Sequence, residues 1–426
     1  MRFPTPSKPA IDDENPSVPV VVGAVIAGVF FGGVGGGVAF PTLPTLKTVL
    51  GISSFVVGLI LSVNRFTRLL LATPAGQVLD SVGTRRPMLA GLFVQGLVPF
   101  GYVVGLDPGP LPLSSAAVFF LSRALWGVGS AFVFVGAFST VTHVTTAENR
   151  GKWVGYMRGG QSLGFPAGLI LGGLLTDLYG YSEAFTVAGA AGLFAAVVAF
   201  VVLPNVEGAA ASTTRLRDLP AVVRADARVL GIGATNLAVR FLYAGILLST
   251  VVLYTREFDI GLGSLASTGV SGIVMAISVL AMSVTTLLVG RLSDTLPSRT
   301  YTVIPSLGLL AGGFALLGLF PSVESTVVGV ALVGIGVGGT GPPLLAYLGD
   351  IAPGGDVGKL GGVYNVFGDL GSTIGPLVAL PLASTVGVGV EYLVCAGLAV
   401  LTAAMVLATL DGDPEPLRSP EVVPDD

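Results

Sequence analysis

Charge is what this chain has least of. Asp, Glu, Lys and Arg make up 11% of its 426 residues, against roughly a quarter in an average soluble domain. With 52% hydrophobic residues and a mean hydropathy of +0.86, a water-soluble fold could not cover itself in polar surface. Cysteine is nearly absent: Cys395 alone excludes an intrachain disulfide and, in an apolar run, reads as a small packing residue. His143 is the single histidine, which excludes a His-rich metal centre and leaves no credible Ser-His-Asp set. No Gly-rich loop ends in Gly-Lys-Ser/Thr, so the phosphate cradle of an ATP motor is missing. Gly334-Ile335-Gly336-Val337-Gly338-Gly339 lies inside an apolar run without βαβ context and reads as a helix-packing segment. The residues through Pro16 lack a basic n-region and a cleavage site, so the apolar run after them is expected to be retained. No catalytic residue, metal, cofactor or nucleic-acid partner is expected, and the chain does not read as an enzyme.

Apolar sequence of membrane length is abundant. An α-helix needs ~20 residues to cross the hydrocarbon core, and twelve runs approach or exceed that. Their expected limits are 18–40, 54–79, 87–105, 114–142, 153–176, 183–203, 229–254, 265–289, 301–320, 326–349, 360–384 and 391–410, here spans 1 to 12. The alternation of a membrane β-barrel is missing; 187–203, for one, does not alternate. The longest polar connection splits the spans six and six. The expected organisation is a tail (1–17), a six-helix bundle (18–203), a connection (204–228), a second bundle (229–410) and an acidic tail (411–426). Basic residues set the orientation. One side holds Arg2, Lys8, Arg85, Arg86, Arg150, Lys152, Arg215, Arg217, Arg224, Arg228, Arg291, Arg299, Lys359 and Arg418; the other holds only Lys47 and Arg256. The first side is expected to be cytoplasmic, with both termini there and the chain in the cell (plasma) membrane.

The chain repeats itself. Gly76-Gln77-Val78-Leu79-Asp80-Ser81-Val82-Gly83-Thr84-Arg85-Arg86 joins spans 2 and 3, and Gly290-Arg291-Leu292-Ser293-Asp294-Thr295-Leu296-Pro297-Ser298-Arg299 joins spans 8 and 9. Each has Gly, Asp four residues later and Arg five beyond that. Span 5 carries Gly155, Gly164, Gly168, Gly172 and Gly173; span 11 repeats the nine-then-four spacing as Gly362, Gly371 and Gly375, with Pro376 next in line. Glycines four apart make a smooth groove for another helix. Duplicated membrane modules of this kind point to solute movement.

The doubled turn resembles the characteristic loop between helices 2 and 3 of the major facilitator superfamily. Arg123-Ala124-Leu125-Trp126-Gly127-Val128-Gly129 is similar to that family's Arg-x-x-x-Gly-x-Gly element. The span 5 glycines are similar to its antiporter motif, in which Gly-Pro precedes Gly-Gly. In this chain Leu169 comes after Gly168, with Pro166 three residues earlier, while span 11 keeps Gly375-Pro376; span 1 has no acidic residue. The resemblance implies an all-α membrane protein, with twelve transmembrane helices in two pseudo-symmetric six-helix bundles about a cavity that opens to one side at a time. It implies a secondary transporter, nearest in motifs to the drug:proton antiporters. The implied partners are a small-molecule substrate, protons or another cation as coupling ion, and membrane lipid, with the chain working as a monomer. It also implies a gate: Asp80 against the start of span 11 near Gly361, and Asp294 against the start of span 5. A carboxylate at a helix N-terminus gains about 0.3–1 kcal/mol. Gly76, Gly83, Arg85, Arg86, Gly290 and Arg299 complete the gating motif; the plainer reading is ordinary caps and topology signals.

Charges inside spans are costly, roughly 2.5–3.5 kcal/mol each at a helix centre, so each implies a partner, water or a cavity. Arg65 and Arg68 lie ~18–22 Å along span 2 from Asp80, Arg123 ~14 Å into span 4 and Arg240 ~16 Å into span 7, at the helical rise per residue. Asp369 in span 11 is the comparably deep acid. Asn236, Arg240 and Tyr243 share a face at i, i+4, i+7, as do Asn365, Asp369 and Ser372; Asn64 joins Arg68. Arg65, Arg68, Arg123, Asn236, Arg240, Tyr243, Asn365 and Asp369 are the candidate substrate or coupling residues. They imply an electropositive cavity for an anionic or acidic group, with Asp369 as a candidate proton carrier. Interhelical hydrogen bonding that only holds the bundle is the structural alternative. The expected function is export of a small organic compound in exchange for protons. The alternatives are cation-coupled uptake of an organic anion and, from another class, a transporter-like membrane solute sensor.

Overall fold

The computed structural model describes residues 17–146, 148–204, 226–352 and 357–410. The tail through Pro16, residues 205–225 with Arg215, Arg217 and Arg224, the tail from 411 and the Lys359 side chain lie outside the described residues. Among the described residues the protein is helical, without a strand. In chain order the long helices are α1 (Val18–Leu50, with one 3-10 turn at Leu43–Thr45), α2 (Ser54–Val82), α3 (Arg85–Leu106), α4 (Ser115–Val144), α5 (Arg150–Leu178) and α6 (Tyr181–Val202). The second six are α7 (Ala227–Glu257), α8 (Ser267–Ser293), α9 (Thr300–Leu319), α10 (Val323–Ile351), α11 (Val357–Val386) and α12 (Val388–Leu410). Eleven are long and apolar enough to cross a membrane. The remaining one, α5, has the length, but glycines, Gln161 and Asp177 keep even its most apolar stretch less hydrophobic. Each expected span falls on one helix. The helices run longer because hydropathy fades at the polar ends while backbone hydrogen bonding continues.

Local chemistry sets the helix ends. The Ser114 and Ser322 hydroxyls accept the Ala117 and Ser325 N–H groups at the starts of α4 and α10, satisfying donors the first turn leaves free. Gly83 turns α2 into α3 with φ +80°, a left-handed conformation that disfavours any side chain.

By packing, the chain forms two compact units. Unit 1 is Met1–Leu43 with Phe66–Ala211; unit 2 is Pro44–Arg65 with Ser212–Asp426. Helix α2 is therefore shared, its first half belonging to unit 2. A Cβ on Gly58 would lie 2.6 Å from the Pro376 carbonyl oxygen of α11, and Arg256 at the end of α7 donates to the Thr48 hydroxyl at 3.0 Å.

Within each unit, small residues bring helix backbones together. In unit 1, Gly160, Gly164, Gly168 and Gly172 of α5 meet Ile26, Phe30, Val34 and Val38 of α1, four residues apart on both helices. A Cβ at Gly164 or Gly168 would overlap the Phe30 or Val34 carbonyl. In unit 2, Gly371 of α11 meets the Leu237 carbonyl, and Gly375 meets Gly245 of α7. Gly334 and Gly338 of α10 likewise meet Ser278 and Met282 of α8. Lipid offers helices little hydrophobic reason to associate, so close van der Waals contact of this kind holds them. Of the sequence-selected glycines, Gly155 meets nothing within 4 Å, Gly173 is buried and Gly362 half-buried.

Candidate functional site

In unit 2, polar residues gather where α7 and α11 touch. The Asn236 side chain, buried on α7, donates to the Tyr364 carbonyl of α11 at 2.7 Å, and it fits there because the facing residue is Gly368. Arg240 is the last residue of regular α-helix in this stretch, and Phe241–Leu247 form a π-helical turn. Such turns insert an extra residue, rotate the rest of the helix and are frequent at functional sites. Arg240 is exposed, its stem against Gly368, and its guanidinium makes no hydrogen bond or ion pair among the described residues. Tyr243 is buried instead, its hydroxyl 3.2 Å from that of Ser278 on α8. Asn236, Arg240 and Tyr243 thus point to α11, to an exposed surface and to α8 respectively, although their spacing places them on one helical stripe.

Arg65 joins this cluster through the unit 2 half of α2. Its Nη1 donates to the Ala244 carbonyl at 3.0 Å, inside the π-helical turn, and to the Ser372 carbonyl at 2.9 Å. The Ser372 carbonyl is available for a local reason: its helical partner would be the N–H of residue 376, which is Pro376. On α11, Asn365 is exposed, Asp369 half-buried and Ser372 buried, its hydroxyl donating to the Gly368 carbonyl at 3.0 Å. Arg65, Asn236, Arg240, Asn365 and Asp369 therefore belong to one unit, on α2, α7 and α11.

Arg68 and Arg123 belong to unit 1. The Arg68 guanidinium lies over the Phe134 ring of α4, 5.5 Å from its centroid. Arg123 is 1% exposed, the largest fully buried side chain among the described residues, with Tyr102 of α3 in electrostatic reach. The Tyr102 ring in turn packs on Phe119 and Phe185. Arg158 is exposed on α5.

The two charged turns differ in their bonding. In unit 2 the Arg299 guanidinium pairs with Asp294, donates to Asp350 at the end of α10 through Nε at 3.2 Å and reaches the Ser293 hydroxyl at 3.1 Å. In unit 1 Asp80 and Arg86 are exposed, and Arg85 donates to the Phe200 carbonyl of α6 at 2.9 Å. That carbonyl too precedes a proline by four residues, Pro204. Gly76 is buried, and Gly290 has open space apart from Pro342.

Sequence reading did not single out Asp350, the π-helical turn or Glu391, a fully buried acid of α12. Asp350 had a signal in its position at a charged helix end. The π-helical turn had none, because it reflects contact with α11.

The family model of the Major Facilitator Superfamily matches residues 25–278 and 234–425. The chain is 27% identical over 183 residues to "Multidrug resistance protein 1" of Bacillus subtilis (strain 168), covering 43% of this chain and 45% of that protein. The match thus spans less than half the length of that relative. It is 26% identical over 365 residues to "MFS-type transporter SLC18B1" of Rattus norvegicus, covering 82% and 76%. Among solved structures, a bacterial homolog to the human lysosomal transporter Spinster, in its inward-facing and occupied conformation, matches with TM-score 0.76 at 14% identity. That likeness covers 96% of this chain and 100% of the other and shows the fold. The family model spans nearly all twelve helices, and on that ground the chain belongs to the major facilitator superfamily.

Proposed function

We propose that this multi-pass membrane transporter works by alternating access and exports a small organic compound in exchange for protons, from the cell membrane, with both termini cytoplasmic. The observation that carries the reading is Arg240, an exposed cation at the π-helical turn of α7 with its stem on Gly368 of α11, the helix that also carries exposed Asn365 and half-buried Asp369. A charge costs too much inside a span to be kept there without use. Arg240 and Asn365 offer an acidic or hydrogen-bonding group of the substrate a cation and an amide, and Asp369 is the titratable group of the same pair of helices. Arg68 and Arg123 are proposed as coupling residues within unit 1. The exchange direction draws on the antiporter-like glycines of α5 and α11 and on the name of the Bacillus subtilis relative.

Alternating access assigns the two charged turns their role. Asp80 and Asp294 are proposed to seat against helix starts in one state and leave them in the other, with Arg299 holding Asp294 in position. A second reading, cation-coupled uptake of an organic anion, draws on the same Arg240 and on the absence of an acid in α1.

Proteoliposomes enclosing a pH-sensitive dye separate these readings. Panels of cationic drugs and organic anions are offered on either side. Export by exchange predicts counterflow of protons and substrate; uptake predicts co-directional flow. Absence of any solute-driven proton movement would sink proton coupling, and unaltered anion flux in Arg240→Ala would remove Arg240 from the site.

A further inference from the structure

Glu391 takes no part in the α7–α11 cluster. It lies in the first turn of α12, is 0% exposed, and neither carboxyl oxygen finds a hydrogen-bond partner among the described residues. The polar groups around it are engaged elsewhere. The Tyr392 hydroxyl pairs with that of Thr250 at 3.2 Å, and the Tyr254 hydroxyl donates to the Leu317 carbonyl at 3.0 Å. The rings of Tyr254, Phe314 and Tyr392 pack together at centroid distances of 5.3 and 5.6 Å, so the surroundings are aromatic and apolar.

The charged and titratable groups facing Glu391 are few. From α7 come Glu257 and Tyr254, from α12 itself Tyr392 and Cys395. The end of α9 at this level carries apolar side chains and Gly318, and that of α11 carries Ser384, Thr385 and Val386, none of them charged. No cation is among them: Arg256, next to Glu257, extends to Thr48. Glu257 is exposed, and its Oε2 accepts the Val388 N–H at 3.2 Å, capping α12. Among the described residues an ionised carboxylate at position 391 would have neither donor nor counter-charge, and buried groups in that position neutralise. The Glu257 carboxyl at the start of α12 adds like-charge repulsion.

We propose that Glu391 is a proton-binding site, at the end of unit 2 remote from the Gly290–Arg299 turn, whose carboxyl is neutral in the closed seam of α7 and α12. Opening that seam to water releases one proton from the carboxyl, and closing it takes one up; no other bond changes. The site goes beyond the proposed exchange reaction and holds whatever the chain carries.

Infrared spectroscopy of the purified full chain in detergent tests it through the C=O stretch of a protonated carboxyl. At neutral pH the wild-type protein should show that band, Glu391→Gln should lose it, and Glu257→Gln and Asp369→Asn should keep it. A wild-type spectrum without the band overturns the proposal, and this needs no variant to fold. So does a band unchanged in Glu391→Gln, or one lost in Glu257→Gln or Asp369→Asn instead. Thermal unfolding gives an independent readout. A folded state that holds a proton the unfolded chain releases loses stability as pH rises. The wild-type Tm should therefore fall more steeply than that of Glu391→Gln between mildly acidic and alkaline pH; parallel curves count against the site.

Discussion

Arg65 and Arg240 carry the same charge at similar depth and differ in what they touch. Arg65 serves two carbonyls of its own unit, whereas Arg240 presents its guanidinium to an exposed surface with its stem on Gly368. Hydrogen bonds to charged groups contribute about 1.5–3 kcal/mol, and stripping the donor leaves acceptors unserved. Arg65→Ala should therefore destabilise unit 2 by roughly that amount, read as a lower Tm in detergent. Arg65→Lys should recover little of it, because an ammonium lacks the planar fork that spans two acceptors. Arg240→Ala should leave Tm nearly unchanged, within about 0.5 kcal/mol as for exposed sites away from special features, yet lower substrate binding at least several-fold. Equal Tm losses in both alanine variants would contradict this division. Span, depth and charge of both arginines are legible in the sequence. Their division is not, because it depends on which carbonyls lie within reach in three dimensions.

At the scale of elements, glycine and proline act as a pair of rules. Glycine lets α5 lie on α1 and α11 on α7 at backbone contact. Gly168→Ala should push against the Val34 carbonyl and cost about 1–3 kcal/mol, the usual range for overpacking. Gly155→Ala has open space and should gain about 0.5–1 kcal/mol of helix propensity. Thermal unfolding of the two variants checks the sign of each, and a common sign would refute the packing account. Proline frees a carbonyl four residues earlier, and side chains fill the gap repeatedly. Arg65 reaches Ser372 ahead of Pro376, Arg85 reaches Phe200 ahead of Pro204, Tyr254 reaches Leu317 ahead of Pro321, and Thr286 reaches Gly338 ahead of Pro342 at 3.4 Å. Pro376→Ala would return a backbone donor to the Ser372 carbonyl. Arg65→Ala should then cost less in that background than in the wild type, and a double-mutant cycle with no coupling would disprove the link. The freed carbonyls are readable from proline positions alone; which side chain answers each is not.

For the whole molecule, two units built on matching glycine seams each end in a charged turn, and the turns are not bonded alike. Arg299 ties Asp294 to Asp350 in unit 2, while Arg85 of unit 1 is turned to α6. Asp294 and Asp80 are both exposed, and exposed ion pairs contribute about 0–1 kcal/mol. Asp80→Asn and Asp294→Asn should accordingly keep the fold and Tm but slow transport several-fold in proteoliposomes; wild-type flux in both would remove these turns from the transport cycle. Composition and run length by themselves determined the solvent and the helix count, because ~20 apolar residues in a chain this poor in charge fit only a membrane-spanning helix. The glycines four apart marked the faces of α5 and α11 that meet a neighbour, though Gly155 meets none, and the doubled turn showed that the chain is built twice. Tertiary structure alone decided that α2 is divided between units, that α7 changes register after Arg240, and that Glu391 sits without a donor among the described residues. Each of these turns on non-local contact: a buried polar group must find its partner in another helix, and no local pattern states which helix will be there.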